Sequence, residues 1–207
     1  MDTYLTLARI SEGLYKEKGS KFLAFAIPVS DVEEIKEILK EKRKLYHDAR
    51  HVCFAYILGE KGEYTRANDD GEPSGTAGKP MLGTLVSKGV TNVLMVVVRY
   101  FGGTKLGTSG LINAYREASM DALEQNEVVE KILESRCEIL FEYPFLNDVM
   151  RIVKEENATI VNQQFDNDCT MKISIRKRDE EKLISRLEKV ERLRFVKAEN
   201  SEEEFNF

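Results

Sequence analysis

The sequence predicts an α+β protein of two domains. Three observations carry that expectation: where glycine occurs, how apolar residues are spaced in the first half, and the order of elements in the second. All thirteen glycines lie between Gly13 and Gly110, which concentrates backbone freedom in one part of the chain. At 207 residues the chain exceeds the usual single domain of roughly 100 to 200 residues, and one large or two modest domains are expected. An acidic helical stretch from Asp121 to Glu134 leads into the strand-like Arg136 to Phe141. The boundary therefore falls near Glu130 to Glu134, giving domains of residues 1–132 and 133–207.

Taken in order, Lys21 to Val29 reads as a strand. Ser30 with Glu33 then forms a capping-box pattern that opens a helix with the apolar stripe Val32, Ile35, Ile38, Leu39 and Leu45. Val52 to Leu58 is nearly continuous in apolar residues, as a buried strand would be, and Glu63 to Asn68 can pair with it across the turn Gly59 to Gly62. Val93 to Val98 is the most apolar segment. Its β-branched content, brevity and glycine-rich exit favour a central strand over a helix. Leu111 to Leu123 follows as a helix with Leu111, Ile112, Tyr115, Ala118, Ala122 and Leu123 on one face. The second half reads as strand (Arg136 to Phe141), helix (Pro144 to Glu156), strand (Thr159 to Phe165), strand (Cys169 to Ile175), helix (Asp179 to Leu193) and strand (Arg194 to Glu199). This βαββαβ order is that of a ferredoxin-like split βαβ unit. The apolar stripes of its helices are assigned to packing, and the acidic tail Glu199 to Phe207 to a frayed end.

Composition narrows the function classes. Hydrophobic residues make up 42% and charged residues 32%, which suits a well-solvated surface around a real core rather than disorder. Thirty-one Lys and Arg against 36 Asp and Glu leave a net charge of −5. The molecule as a whole is thus not the basic body of an avid, nonspecific nucleic-acid binder, and any anion site must be local. The second half is the more acidic. Three widely spaced cysteines, Cys53, Cys137 and Cys169, without a CxxC pair, argue against a disulfide framework and a zinc knuckle. With no apolar leader or membrane-length run, a cytoplasmic protein without membrane contact is expected.

Chemistry concentrates in two glycine-rich loops. The first, Asp69 to Pro80, packs three glycines, two prolines, three carboxylates and two hydroxyls into twelve positions. Such a loop is tightly specified and could turn successive N–H groups toward an anion. It also fits a long surface turn in which Thr76 or Ser74 caps the following helix. The second, Arg99 to Gly110, leaves the buried strand and enters a helix N-terminus, whose unpaired N–H groups suit a phosphate or carboxylate. Tyr100 and Phe101 offer faces for base stacking. The phosphate-binding candidates are Gly75, Thr76, Gly78 and Lys79 in the first loop, and Arg99, Gly102, Gly103, Lys105, Gly107, Thr108 and Ser109 in the second. Neither loop is a Walker A sequence, and no GxGxxG occurs. Asp69, Asp70 and Glu72 could hold Mg²⁺ beside a phosphate, with His51 as acid or base, although a charged turn explains the same carboxylates. His47, Asp48, His51 and Cys53 have metal-ligand chemistry, but a helix-to-strand transition there would separate the two histidines, which favours a structural role. No catalytic residue and no obligatory cofactor is assigned.

At these loops the chain resembles the IMPACT/YigZ family. Its pattern DDGEPxGTAGxPML is matched by Asp69 to Leu82, and VVVxRYFGGxKLG is closely matched by Val96 to Gly107. Arg50, His51, Cys53 and Ala55 fall where the family carries a His and small residues, and Ser109 stands where many members have a second glycine. The resemblance covers about residues 15–125. It implies a first domain with the fold of the second domain of a small-subunit ribosomal protein, and a second domain like the last domain of elongation factor G. It also implies a place in translation, where eukaryotic members regulate the starvation response. The expected function is a cytoplasmic RNA-binding or ribosome-associated protein, with RNA, the ribosome or translation factors as partners. The alternative is an enzyme acting on a phosphorylated or nucleotide-like small molecule with Mg²⁺.

Overall fold

The computed structural model describes residues 2–165 and 168–196. The chain divides into two compact units, one of residues 3–131 and the other of the segment from residue 132 onward together with the N-terminal end. In chain order the elements of the first part are β1 (Thr3–Leu7), β2 (Ser11–Glu17), β3 (Ser20–Pro28), α1 (Val32–Leu45), β4 (His51–Leu58), β5 (Tyr64–Asn68), α2 (Gly78–Lys88), β6 (Val93–Tyr100), α3 (Gly107–Glu124) and β7 (Val128–Ile132). Strands β2-β3-β6-β4-β5 form a five-stranded sheet in that order, while β1 pairs with β7.

Strand β6 lies in the middle of the five and is antiparallel to both neighbours. Its alternate residues feed two cores. Val93, Met95 and Val97 join Phe22, Ala24, Ala26, Cys53 and Ala55 beneath α2 and α3, and Leu94, Val96 and Val98 join Phe25, Phe54, Tyr56 and Ile35 on the α1 side. A strand covered on both faces reads as an unbroken apolar run, which is why the segment lacks alternation. Small residues on the α2–α3 face let those helices approach closely. On that same face the register sets His51 opposite Arg99 and Arg99 opposite Phe22. Three strands thus present one row of side chains at the end of the sheet, just past the last apolar layer.

Three local expectations are corrected: the cap of α1, the cap of α2, and the helical stretch from Asp121 to Glu134, in which helix α3 ends at Glu124 and strand β7 takes over at Val128. Helix α1 is capped by Asp31, whose carboxylate accepts the Glu34 N–H at 2.8 Å, while Glu34 reaches back to the Ser30 N–H at 2.7 Å. The box is therefore shifted one residue from Ser30 and Glu33, both sites being chemically competent. Strands β1 and β2 went unread because Gly13 interrupts the alternation of β2 and the partner of β1 lies far along the chain. Helix α2 is not capped by Thr76 or Ser74, since the Thr76 hydroxyl donates to the Pro73 carbonyl at 2.7 Å.

The second unit contains β8 (Glu134–Glu142), α4 (Leu146–Glu155), β9 (Thr159–Phe165), β10 (Asp168–Arg176), α5 (Glu180–Leu187) and β11 (Arg194–Val196). Its sheet order is β11-β8-β10-β9, with antiparallel neighbours throughout. Within the unit this is fourth-first-third-second, the split βαβ arrangement expected from the element order. Helix α5 ends at Leu187 rather than Leu193 because the chain leaves helical geometry in a turn, with Arg192 at φ 57°. The tail Glu199 to Phe207 and the end of the last strand beyond Val196 lie outside the described residues. Ile139, Phe141, Val149, Met171, Ile173 and Leu183 form this unit's core, and no ligand-binding stripe is needed to explain them.

Candidate functional site

The three carboxylates of the first loop all turn inward. Asp69 accepts the N–H groups of Gly75 at 2.8 Å, Ala77 at 3.0 Å and Gly78 at 2.8 Å. Burial opposes ionisation of Asp69, but those amide hydrogen bonds, helped by Lys79, outweigh it and hold the carboxyl below its ordinary range. The carboxylate sits at the N-terminus of α2, where the helix dipole also favours it. Asp70, at φ 44°, accepts the Val52 N–H at 2.6 Å and Arg43 Nη2 at 2.9 Å, pinning the loop to β4 and α1. Its carbonyl meets His51 Nδ1 at 2.7 Å.

Glu72 is the deepest of the three. Its Oε1 accepts Arg99 Nη1 at 2.5 Å and the Tyr115 hydroxyl at 2.9 Å, and lies 3.9 Å from His51 Nε2. Only 3% of the Glu72 side chain and 6% of the Arg99 side chain are exposed. Removing either partner would strand a buried charge. Burial, then the neighbouring Cys53 and Glu72, raise the Tyr115 hydroxyl far above its ordinary range, so it stays a donor. Burial pushes the Cys53 thiol up to about 12, with Glu72, Asp70 and Asp69 adding to the rise against the opposing bond to Tyr115. Cys53 is therefore neither a thiolate nucleophile nor a ready metal ligand at neutral pH.

These contacts revise the roles expected for the first loop. The amides of Gly75 and Gly78 serve the loop's own carboxylate, and the Thr76 N–H goes to Pro73, so none of the three offers its N–H to a phosphate. Asp69 and Asp70 bind backbone and Arg43 rather than facing outward as metal ligands. Among the described residues no three His, Cys, Asp or Glu side chains are grouped to hold a metal ion. His47 lies on the exposed turn after α1 and His51 begins β4, so the helical face that would pair them is broken.

The second loop is different. Arg99, Lys105, Gly107 and Thr108 line a cleft of about 520 Å³ together with Arg50, His51, Glu72, Phe101, Leu106 and Leu111. Three cations thus face one carboxylate in a chain whose net charge is −5. Arg99 Nε is buried without a hydrogen-bond partner. Helix α3 begins here with Leu106 as N-cap, no side-chain cap and no acidic residue in the first turn, which leaves its first amides without a protein acceptor from the cap. Gly102 serves packing instead of binding: its N–H donates to Ser20 Oγ at 3.1 Å, and a Cβ there would meet the Gly19 carbonyl carbon at 1.9 Å. Gly103 and Ser109 are exposed but do not line the cleft. Gly75 and Lys79 line a separate groove between α2 and α3 with Arg116 and Met120.

Sequence reasoning missed Tyr115, Arg50 and the separation of the two aromatics. The sequence puts Tyr115 on the apolar face of its helix, although a buried tyrosine hydroxyl needs a partner, and that need is the signal that points to it. Tyr100 points to the α1 side and donates to Asp48 at 2.9 Å. Phe101 remains 42% exposed at the cleft, with the Arg99 guanidinium 5.6 Å and the Arg50 guanidinium 5.9 Å from its ring.

The chain is similar to known proteins over most of its length. The family model of the Impact N-terminal domain matches residues 18–123, which include both loops. The chain is 36% identical over 155 residues to the IMPACT family member YvyE of Bacillus subtilis, covering 75% of this chain and 71% of that one. It is 32% identical over 177 residues to the IMPACT family member YigZ of Escherichia coli, covering 84% and 87% respectively. A crystal structure of a hypothetical protein aligns over 97% of this chain and 99% of its own, with 28% identity and a TM-score of 0.72.

Proposed function

This protein belongs to the IMPACT family, and from that premise we propose that it is a cytoplasmic RNA-binding or ribosome-associated protein acting in the regulation of translation. Its cleft beside α3 holds the phosphate. The observation that carries this reading is Arg99, a buried guanidinium whose Nε has no partner in a cleft that also receives an uncapped helix N-terminus. Glu72 holds the guanidinium in place through Nη1, which fixes one edge of the planar fork and leaves other donors for an oxyanion. Arg50 and Lys105, exposed at the rim, form no ion pair among the described residues and add charge where a polyanion would approach. Phe101 supplies a face on which an unstacked base can lie. The place in translation that the family resemblance implies favours RNA over a free phosphorylated metabolite. The Mg²⁺-dependent alternative loses support because the carboxylates it needs are occupied within the fold.

The test is retention of a short single-stranded RNA measured across a range of salt. Replacing Arg50 and Lys105 together by Ala should weaken binding and reduce the slope of log affinity against log salt by roughly 1 to 1.5, since each phosphate contact contributes about 0.7 on single strands. An unchanged slope would remove this cleft from the binding surface.

A further inference from the structure

We infer that the cleft also cleaves the RNA it binds, by transphosphorylation with His51 as general base; this rests on the RNA-binding reading above. A carbonyl oxygen only accepts hydrogen bonds, so the 2.7 Å contact to the Asp70 carbonyl places the proton of a neutral His51 on Nδ1. Nε2 is then a bare acceptor. It has no hydrogen-bond partner among the described residues, and the ring lines the same cleft as Arg99, Lys105 and the start of α3.

The orientation is built into the fold. His51 begins β4 opposite Arg99 in the sheet register, and its ring is held by a loop that Asp69 and Asp70 anchor at five backbone and side-chain donors. Glu72 Oε1 lies 3.9 Å from Nε2, beyond hydrogen-bond distance, so the nitrogen's lone pair stays open to the cleft. A phosphodiester lying against Arg99 and the α3 amides therefore has a base beside it, with cationic donors around its non-bridging oxygens. Those are the two elements that attack by a neighbouring hydroxyl needs.

The step balances without a further reactant. The proton of the ribose 2′-hydroxyl passes to His51 Nε2, and the 2′-oxygen uses its electron pair to bond to phosphorus. The bond from phosphorus to the 5′-oxygen breaks, that oxygen keeping the pair and taking a proton from water. The hydroxide left behind recovers the proton from the imidazolium. The products are one fragment ending in a 2′,3′-cyclic phosphate and one beginning with a 5′-hydroxyl.

The experiment incubates the full chain with an end-labelled single-stranded RNA, the same sequence as DNA, and an RNA carrying 2′-O-methyl groups, while binding is followed separately. The expected result is cleavage of the unmodified RNA alone, with cyclic-phosphate ends. The rate at saturating RNA should fall at least about 100-fold in His51→Ala and in His51→Gln purified identically, the lower range for loss of a general base. The Gln amide can keep the bond to Asp70 but accepts no proton. RNA that is bound but left intact, or cut equally by both His51 variants, overturns the cleavage step and leaves the binding reading standing. Absence of any RNA binding removes the binding reading and this inference with it. The 2′-O-methyl arm needs no variant: its cleavage by the unaltered chain would overturn the mechanism directly.

Discussion

The two glycine-rich loops look alike in sequence and do opposite things. Residues 69–80 curl their N–H groups around an anion the protein supplies itself, the Asp69 carboxylate, which takes three of the loop's amides. Residues 99–110 form their turn without such a carboxylate, so the start of α3 and one edge of Arg99 keep unsatisfied donors beside an open cleft. A glycine-rich turn at a helix N-terminus is thus not by itself a binding site. The deciding question is whether an internal acceptor has already filled it.

The largest effect should come from breaking the link between the loops. Arg99→Met leaves buried Glu72 with the Tyr115 hydroxyl as its hydrogen-bond donor and His51 Nε2 at 3.9 Å, and breaking a buried pair this way costs about 3–5 kcal/mol. Urea unfolding measures it. The double variant Arg99→Met/Glu72→Met should recover much of that loss, and a single-variant loss below about 1 kcal/mol would show the pair to be uncoupled.

Next comes Asp69→Ala, which removes the acceptor of three amides and the cap of α2, for about 2–3 kcal/mol. It should also make the first loop resemble the second: inorganic phosphate should raise the Tm of the variant more than that of the parent. An equal shift in both would mean that the loop collapses when emptied. The pH dependence has a definite sign. The folded carboxyl lies below its ordinary range, so its contribution is complete above that range and is lost as pH falls through the folded value. Asp69→Asn should therefore flatten the acid limb of stability against pH.

Gly102→Ala should cost about 1–3 kcal/mol by overpacking, because the added Cβ meets backbone at 1.9 Å and no rotamer relieves it. The smallest stability change belongs to Arg50→Ala/Lys105→Ala, within about 0.5 kcal/mol of the parent, although its RNA affinity falls. A large loss of stability there would mean that these cations hold the fold rather than the ligand.

Much of the fold was legible because its signals are local. Six consecutive aliphatic residues, Val93 to Val98, mark a strand buried on both faces, and the βαββαβ order survives small errors at element ends. Sequence also located both loops. Their roles were hidden because these depend on curvature: Asp69 meets amides six, eight and nine residues ahead, a closure no linear pattern encodes. Tyr115 was concealed differently, its ring matching the apolar stripe of α3 while its hydroxyl completes a polar cluster. The one-residue shift at α1 reflects two adjacent residues with equal capping chemistry.

The central position of β6 also governs how this site moves. Arg99 and His51 sit on neighbouring strands within the sheet, so their amides should exchange hydrogen only through the most costly openings of the domain, unlike those of a binding loop that frays. A ligand would meet donors already in place, with little ordering entropy to lose on arrival. Occupancy would then raise the melting temperature by mass action alone, leaving the backbone dynamics of the sheet as they were.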